Sequence, residues 1–389
     1  MSYNRDFFIA TEEEIKKGFV TDIYFERTKE ILKAYNIHKK VSAEFIVKGF
    51  PEGINFGVFT GLKEVVHLLK GKKVTLRALP EGTFFKTWTP VMEITGDYLE
   101  FGVYETAMLG FICQSSGIAT KAARCKKAAD GRVVISFGAR RMHPAIAPMI
   151  ERSAYIGGCD GVSTILSAEL LGIKPTGTMP HALILIFGDT VEAAIAFDKI
   201  IPAEVPRIVL IDTFLDEKFE AIRVAQALKD KLYGIRLDTP GSRRGDFKRL
   251  LEEVRWELNI RGFENVKIMV SGGINEEKIK NLNEYCDGYG VGTSISSAST
   301  IDYSMDIVEI EDKFCAKRGK HSGRKDVLKC FQCGYEVVVP INKRIQCRCG
   351  SDMTNLLKLY IKDGEVVEEL PDDKLIREYV LKQLEKIEI

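Results

Sequence analysis

Two short loops late in this chain are built from residues that bind anions. The apolar run 266–270 ends in Ser271-Gly272-Gly273-Ile274, and the run 288–291 ends in Gly292-Thr293-Ser294. Glycine lets backbone N–H groups approach a phosphate closely, and the hydroxyls add side-chain donors. One such loop is as readily an ordinary glycine-rich turn. Two in tandem, each closing an apolar strand, point to the phosphate cradle found late in (β/α) barrels.

In a parallel barrel the functional groups gather at the carboxyl ends of the strands. After 133–137 comes Phe137-Gly-Ala-Arg140-Arg141-Met-His143. Near 176–178 the chain reads Thr178-Met-Pro-His181; after 207–211 it reads Asp212-Thr213, and around 234–237 Arg236-Leu-Asp238. These groups describe a ligand. The two loops hold one phosphate. Asp212 and Asp238 suit ribose hydroxyls or a magnesium ion. Arg236, Arg140 and Arg141 suit a pyrophosphate or a carboxylate, and Phe137 a flat ring. Bland readings compete: Asp212 with Arg236 as an interior ion pair, Arg140-Arg141 as a solvated loop pair, Phe137 as core, and His181 and His143 as structural histidines.

Elements must position these groups. Residues 1–112 mix helix and strand. Thr11 and Glu14 open a helix as a capping box, 41–47 and 74–79 read as strands, 61–69 as an amphipathic helix, and 98–113 as one long apolar helix. From Gly117 the rhythm changes to short apolar strands alternating with amphipathic runs at 190–201, 217–229 and 246–261. That rhythm implies parallel βαβ units, about seven of them. The expected fold is α/β: an incomplete or irregular (β/α) barrel over 113–300, preceded by an N-terminal α+β domain over 1–112. A C-terminal region, 301–389, follows. A doubly wound sheet is the competing topology.

The C-terminal region carries Cys330-x2-Cys333-Gly and Cys347-x-Cys349-Gly. Two such knuckles close a tetrahedral zinc site with no open position, so a zinc ribbon is expected at about 327–358. Iron suits the same ligands, and four free thiols are the remaining alternative. Lys343, Arg344 and Arg348 are too few cations to suggest nucleic-acid binding.

Composition bounds the rest. The formal net charge of +1 provides no bulk field for nucleic acid or anionic membrane. The other five of the nine cysteines are scattered singly, which suits a reducing compartment. No apolar run spans a bilayer and the N-terminal stretch lacks a signal-peptide pattern, so a cytoplasmic protein is expected.

These motifs resemble the type II phosphoribosyltransferases, most closely the nicotinate phosphoribosyltransferases of the archaeal kind. The likeness rests on Asp22-Ile-Tyr24-Phe, Tyr104-Glu105-Thr, Phe137-Gly-Ala-Arg140-Arg141, Gly158-Cys-Asp160-Gly-Val-Ser163, Gly177-Thr-Met-Pro-His181-Ala, Ile211-Asp212-Thr213, Arg236-Leu-Asp238-Thr and Ser271-Gly-Gly273, in that order over nearly the whole chain. The resemblance implies that nicotinate attacks phosphoribosyl pyrophosphate, giving nicotinate mononucleotide and pyrophosphate in NAD biosynthesis, with ATP as co-substrate. It implies a ring stacked between Phe137 and Tyr24 of a second subunit, hence a homodimer or larger homo-oligomer with a shared site. Arg140 would face the carboxylate; Arg141, His143, Ser163 and Thr178 complete the substrate pocket. Asp212, Arg236 and Asp238 would handle ribose and pyrophosphate with magnesium, and His181 would accept phosphate from ATP. If Asp160 met the ring substituent, nicotinamide would be favoured; quinolinate is the other alternative acceptor. A phosphate-metabolite sensor, its zinc ribbon docking nucleic acid, is the non-enzyme alternative.

Overall fold

A computed structural model describes residues 5–387. The chain forms two compact units, one of residues up to Thr120 plus Ser299–Gln383, the other of Lys121–Ala298 plus the chain end.

The first unit is built on a seven-stranded antiparallel sheet. Its order is Lys313–Phe314, Tyr303–Ile310, Lys40–Val47, Met92–Asp97, Val74–Ala78, Lys358–Lys362 and Glu365–Val366. One face buries Val41, Ala43, Phe45, Leu76 and Ile94, covered by apolar residues of the helices Leu62–Leu69 and Glu105–Ala128. The other face is polar and also buried. Glu44 lies opposite both Asp306 and Glu93, and Glu93 opposite Arg77, so three carboxylates stand side by side on neighbouring strands. Lys320 neutralises Asp306, Lys325 holds Glu44 at 2.7 Å and Arg324 holds Glu93 at 2.6 Å. Uncompensated, such a row would be strongly unfavourable.

This sheet alters the expected division. Residues 301–383 do not stand apart: Tyr303–Ile310 pairs along Lys40–Val47, and Lys358–Lys362 pairs with Val74–Ala78. The four cysteines sit beside a small three-stranded sheet, Glu336–Pro340, Lys325–Lys329 and Thr354–Asn355; its Val327, and Leu356 just after its last strand, enter the first unit's core. The helix expected over 98–113 is broken. It begins as Tyr98–Phe101, passes through a 3-10 turn at Gly102–Tyr104 and restarts as Glu105–Ala128. The break places the Tyr98 ring 2.7 Å from where a Cβ on Gly102 would lie, so only glycine fits there.

The second unit is a parallel half-barrel sheet with helical crossovers. Six strands follow the order Gly161–Val162, Val133–Ser136, Gly288–Val291, Lys267–Val270, Leu232–Leu237 and Arg207–Leu210. The two end strands are not paired, so the sheet stays open. The strand expected at 176–178 is absent: Thr176 gives one backbone bond to Val162 (2.8 Å), and the flanking Pro175 and Pro180 have no N–H for a ladder. Helices Thr190–Ile200, Glu217–Leu228, Phe247–Asn259 and Glu276–Leu282 begin at the side-chain caps Asp189, Asp216, Asp246 and Asn275.

Two glycines of helix Glu105–Ala128 make opposite predictions. A Cβ on Gly117 would lie 2.2 Å from the Ser299 carbonyl oxygen, whereas one on Gly110 meets nothing within 4 Å. Alanine gains about 1 kcal/mol of helix propensity at either position. Gly110→Ala is therefore expected to raise stability by up to ~1 kcal/mol. Gly117→Ala is expected to lower it by about 2 kcal/mol, because overpacking outweighs propensity. Urea unfolding of the two variants checks both signs.

Candidate active site

The carboxyl ends of the parallel strands converge on one cavity of about 570 Å³. Strand Val133–Ser136 delivers Phe137 and then a single 3-10 turn, Ala139–Arg141, that presents Arg140 and Arg141. Gly138 permits this turn: a Cβ there would meet the Gly292 carbonyl and Ser296 at 2.6 Å. A Cβ on Gly290 would lie 2.4 Å from the Phe137 ring, so the ring occupies the space that this glycine leaves empty. Arg236 lies within strand Leu232–Leu237 and Asp238 just beyond it; Ser271–Gly273 follow Lys267–Val270, and Gly292 and Thr293 follow Gly288–Val291. All of these line the cavity, as do Ser163 and Thr178.

The charges are held tightly. Ser271 donates its hydroxyl to Asp238 (2.7 Å). Arg236 reaches the Met179 carbonyl at 3.3 Å and lies 5.9 Å over the Phe137 ring, while its buried Nε has no hydrogen-bond partner. Burial pulls the Arg236 guanidinium below its ordinary pKa against the pull of Asp238 and Asp212, and Arg140 adds a like-charge push. Asp212 is nearly inaccessible, and neither of its carboxylate oxygens has a hydrogen-bond partner among the described residues. Burial raises its pKa, with His181 opposing the rise. His181 Nε2 stands 3.9 Å from Asp212 and 3.8 Å from Asp238, beyond hydrogen-bond range, while Nδ1 is 3.0 Å from the Thr213 hydroxyl. The site therefore contains an unsatisfied buried carboxylate beside a histidine, an arrangement suited to a cation or a phosphoryl group.

Gly272 and Gly273 both adopt left-handed backbone conformations, φ +81° and +64°. The N–H groups of Gly272, Gly273 and Ile274 make no hydrogen bond within the described protein, and all three residues line the cavity. They are free to meet an anion.

Several expected site residues lie elsewhere or are otherwise engaged. Tyr24 belongs to the first unit, in the opening turn of helix Ile23–Ala34, and its side chain is exposed. His143 is exposed; its Nδ1 accepts from the Ala145 N–H, capping a 3-10 turn, and it does not line the cavity. Ser163 lines the cavity, but its hydroxyl and N–H both go to the fully buried Glu151, which also takes the N–H and hydroxyl of Thr164. Asp160 accepts from Lys126 (2.6 Å) and from the Val134 N–H (2.9 Å), near the opposite end of its neighbouring strand, and is not part of the cavity. Residues that sequence reasoning missed are Glu151, Thr164, Thr176, Asn275 and Arg244. Arg244 sends its Nε to the Thr239 carbonyl at 2.6 Å and its NH2 to the carbonyls of Ser271 (2.8 Å) and Gly272 (2.6 Å). Its place in Gly241-Ser-Arg-Arg244-Gly, directly after a strand-end aspartate, was the available signal.

In the first unit the Sγ atoms of Cys330, Cys333, Cys347 and Cys349 all lie within 4.8 Å of one another, so the four thiols could hold a metal ion. Among the described residues no helix is long and apolar enough to cross a membrane.

Comparison with known proteins places this architecture. Residues 22–116 match the family described as quinolinate phosphoribosyl transferase, N-terminal domain, and residues 118–306 match its C-terminal domain. Nicotinate phosphoribosyltransferase pncB2 of Mycobacterium tuberculosis is 33% identical over 330 residues, covering 80% of this chain and 65% of that protein. The chain thus spans just under two thirds of the length of this relative. The crystal structure of nicotinate-nucleotide pyrophosphorylase from Pyrococcus furiosus is 54% identical, with a TM-score of 0.97 over 99% of this chain and 100% of that one. Human nicotinic acid phosphoribosyltransferase shares the fold, with a TM-score of 0.76 at 18% identity over 95% of this chain and 94% of that one. On this evidence the chain belongs to the type II phosphoribosyltransferase family.

Proposed function

We propose that this protein is a nicotinate phosphoribosyltransferase, which joins nicotinate to C1 of phosphoribosyl pyrophosphate and releases pyrophosphate. The observation that carries the reading is the single cavity in which Phe137, Arg140 and Arg141 face Arg236, Asp238 and two glycine loops. The name of the Mycobacterium relative supports it, and that of the Pyrococcus structure supports chemistry between a nicotinate nucleotide and pyrophosphate. Breaking the C1–O bond builds positive charge on the ribose and negative charge on the leaving group. Carboxylates at Asp238 and Asp212 favour the first; the guanidinia of Arg236, Arg140 and Arg141 favour the second. Phe137 orients the ring so that its nitrogen meets C1, which lowers the entropic part of the barrier. The pyridine nitrogen carries no proton, so the step needs no general base. Two loops anchor the 5-phosphate through Ser271, Gly272, Gly273, Gly292 and Thr293.

The remaining site roles follow from the same reading. The unpartnered oxygens of Asp212 fit a magnesium ion, which with Asp238 would neutralise the pyrophosphate. His181 is the phosphoryl acceptor that couples ATP hydrolysis to the reaction, because its imidazole is accessible and flanked by two carboxylates. The exposed Tyr24 serves the cavity of a second copy, so the active form is a homodimer or larger. Arg140 meets the nicotinate carboxylate. Asp160 lies outside the cavity, tied to Lys126, so nothing at that position favours nicotinamide. In the first unit the four thiols take a structural zinc. The Cys330–Cys349 and Cys333–Cys347 separations of 3.5 and 3.4 Å are close to the ~3.8 Å edge of a tetrahedron with Zn–S bonds of about 2.3 Å.

A panel of nicotinate, nicotinamide and quinolinate, each with phosphoribosyl pyrophosphate and with or without ATP, tests the reading. Product from nicotinate alone is expected; exclusive use of either other acid or amide overturns it. Arg140→Ala and Asp238→Ala are each expected to abolish turnover in folded protein, by 10²-fold or more; wild-type rates in either would refute that residue's role. His181→Ala is expected to retain basal turnover and lose ATP stimulation, measured as the ratio of initial rates with and without ATP. Chelation is expected to release one zinc per chain, read by metal analysis, and to lower the melting temperature of the first unit. A protein purified without metal that melts unchanged would exclude the structural zinc.

A further inference from the structure

We propose that Arg244, assisted by Lys278, is the positioning group that turns the glycine loop into an anion site. The inference rests on the phosphoribosyl reading only in naming the anion. Three successive carbonyls of the loop are captured by cations from its outer side. Arg244 takes those of Ser271 and Gly272 at 2.8 and 2.6 Å, and Lys278 takes that of Gly273 at 2.7 Å. In a planar trans peptide the C=O of one residue and the N–H of the next point in opposite directions. Fixing the carbonyls of 271, 272 and 273 therefore aims the N–H groups of Gly272, Gly273 and Ile274 the other way. Those are the three N–H groups without partners, on three cavity-lining residues.

The same arginine ties two loops together. Its Nε holds the Thr239 carbonyl at 2.6 Å, one residue past Asp238, and Asp238 in turn accepts from Ser271. The guanidinium is packed 4.5 Å over the Phe247 ring, so its orientation is fixed. A Cβ on Gly272 would lie 2.9 Å from Asp238 and 3.0 Å from the Arg244 guanidinium, which shows how closely the three groups are fitted. The planar guanidinium meets the three carbonyls from fixed directions through separate nitrogens, a geometry that a compact point-charge ammonium on a flexible stem does not reproduce. Arg244 is half-buried and Lys278 exposed, so the arginine carries the larger share.

Binding of ribose 5-phosphate and of inorganic phosphate, measured by calorimetry, tests this independently of turnover. Arg244→Ala is expected to weaken ribose 5-phosphate roughly thirtyfold, and Lys278→Ala about threefold, as expected for charge-assisted bonds of unequal burial. In steady state the KM for phosphoribosyl pyrophosphate rises in step while that for nicotinate stays within about twofold. Added methylguanidinium partly restores Arg244→Ala, and Arg244→Lys recovers less than half of the lost affinity. Ribose 5-phosphate binding at the wild-type level in Arg244→Ala overturns the proposal. So does an equal loss of nicotinate and phosphate affinity without rescue, which marks a general unfolding of the site. The exposed Lys278→Ala keeps the test open should the arginine variant fail to fold: unchanged phosphate affinity there counts against the mechanism. Wild-type protein that binds ribose 5-phosphate but makes no nucleotide removes the proposed reaction and leaves this inference standing. Wild-type protein that binds neither phosphate probe removes the inference.

Discussion

The close approach of strands Val133–Ser136 and Gly288–Val291 is the constraint on which the site depends. They are parallel neighbours in the half-barrel sheet, and their carboxyl ends must pass each other with no side chain between. Gly290 and Gly138 make that passage possible, each lying where a methyl group would collide with the opposing segment. Because Gly290 has no side chain, the Phe137 ring fills that space and faces Arg236. The aromatic platform, the arginine turn and the second glycine loop are thus consequences of one packing event in the sheet. Close-packed interiors transmit such constraints with little slack.

The site holds its charges at a cost to the fold. Arg236 and Asp212 are both buried, yet each retains atoms without a partner. In a purely structural setting such atoms would be paired or replaced. Here they lie beside a histidine and an open cavity, where incoming ligand groups can complete them. This is the usual relation between strain at a functional site and stability elsewhere, which in this chain comes from well-capped crossover helices and an extensive apolar core.

Much of this was legible in the sequence because parallel sheets couple position to role. A short apolar strand predicts where the chain emerges, so Phe137, Arg140, Asp238, Ser271 and Thr293 can be gathered into one site from the sequence, and all five line the cavity. Positions needing second-order contacts were not legible. Arg244 acts through carbonyl oxygens, which carry no residue-type signal, and Glu151 reveals itself only by the four donors it collects. The missing strand at 176–178 and the open sheet reflect the same limit: apolar pattern marks a strand, but pairing decides it. The largest departure, residues after 300 joining the first sheet, depends on pairing across more than 250 positions, as between Phe45 and Met305. Local periodicity contains nothing about that.

That distant pairing orders events during synthesis. Residues 121–298 form a continuous stretch, and every strand of their sheet is synthesised before residue 299 is added. The first unit has no such independence. Its early strands carry Glu44 and Glu93 side by side; Arg77 is at hand for Glu93 from the start, but Lys325, which neutralises Glu44, and Arg324, the second cation on Glu93, come from far later in the chain. Until those arrive, Lys40–Val47 is an unprotected edge with a repulsive face. On the ribosome the later-encoded half-barrel is therefore the unit free to fold first, the reverse of the common N-terminal-first order, and the beginning of the chain must wait for its end.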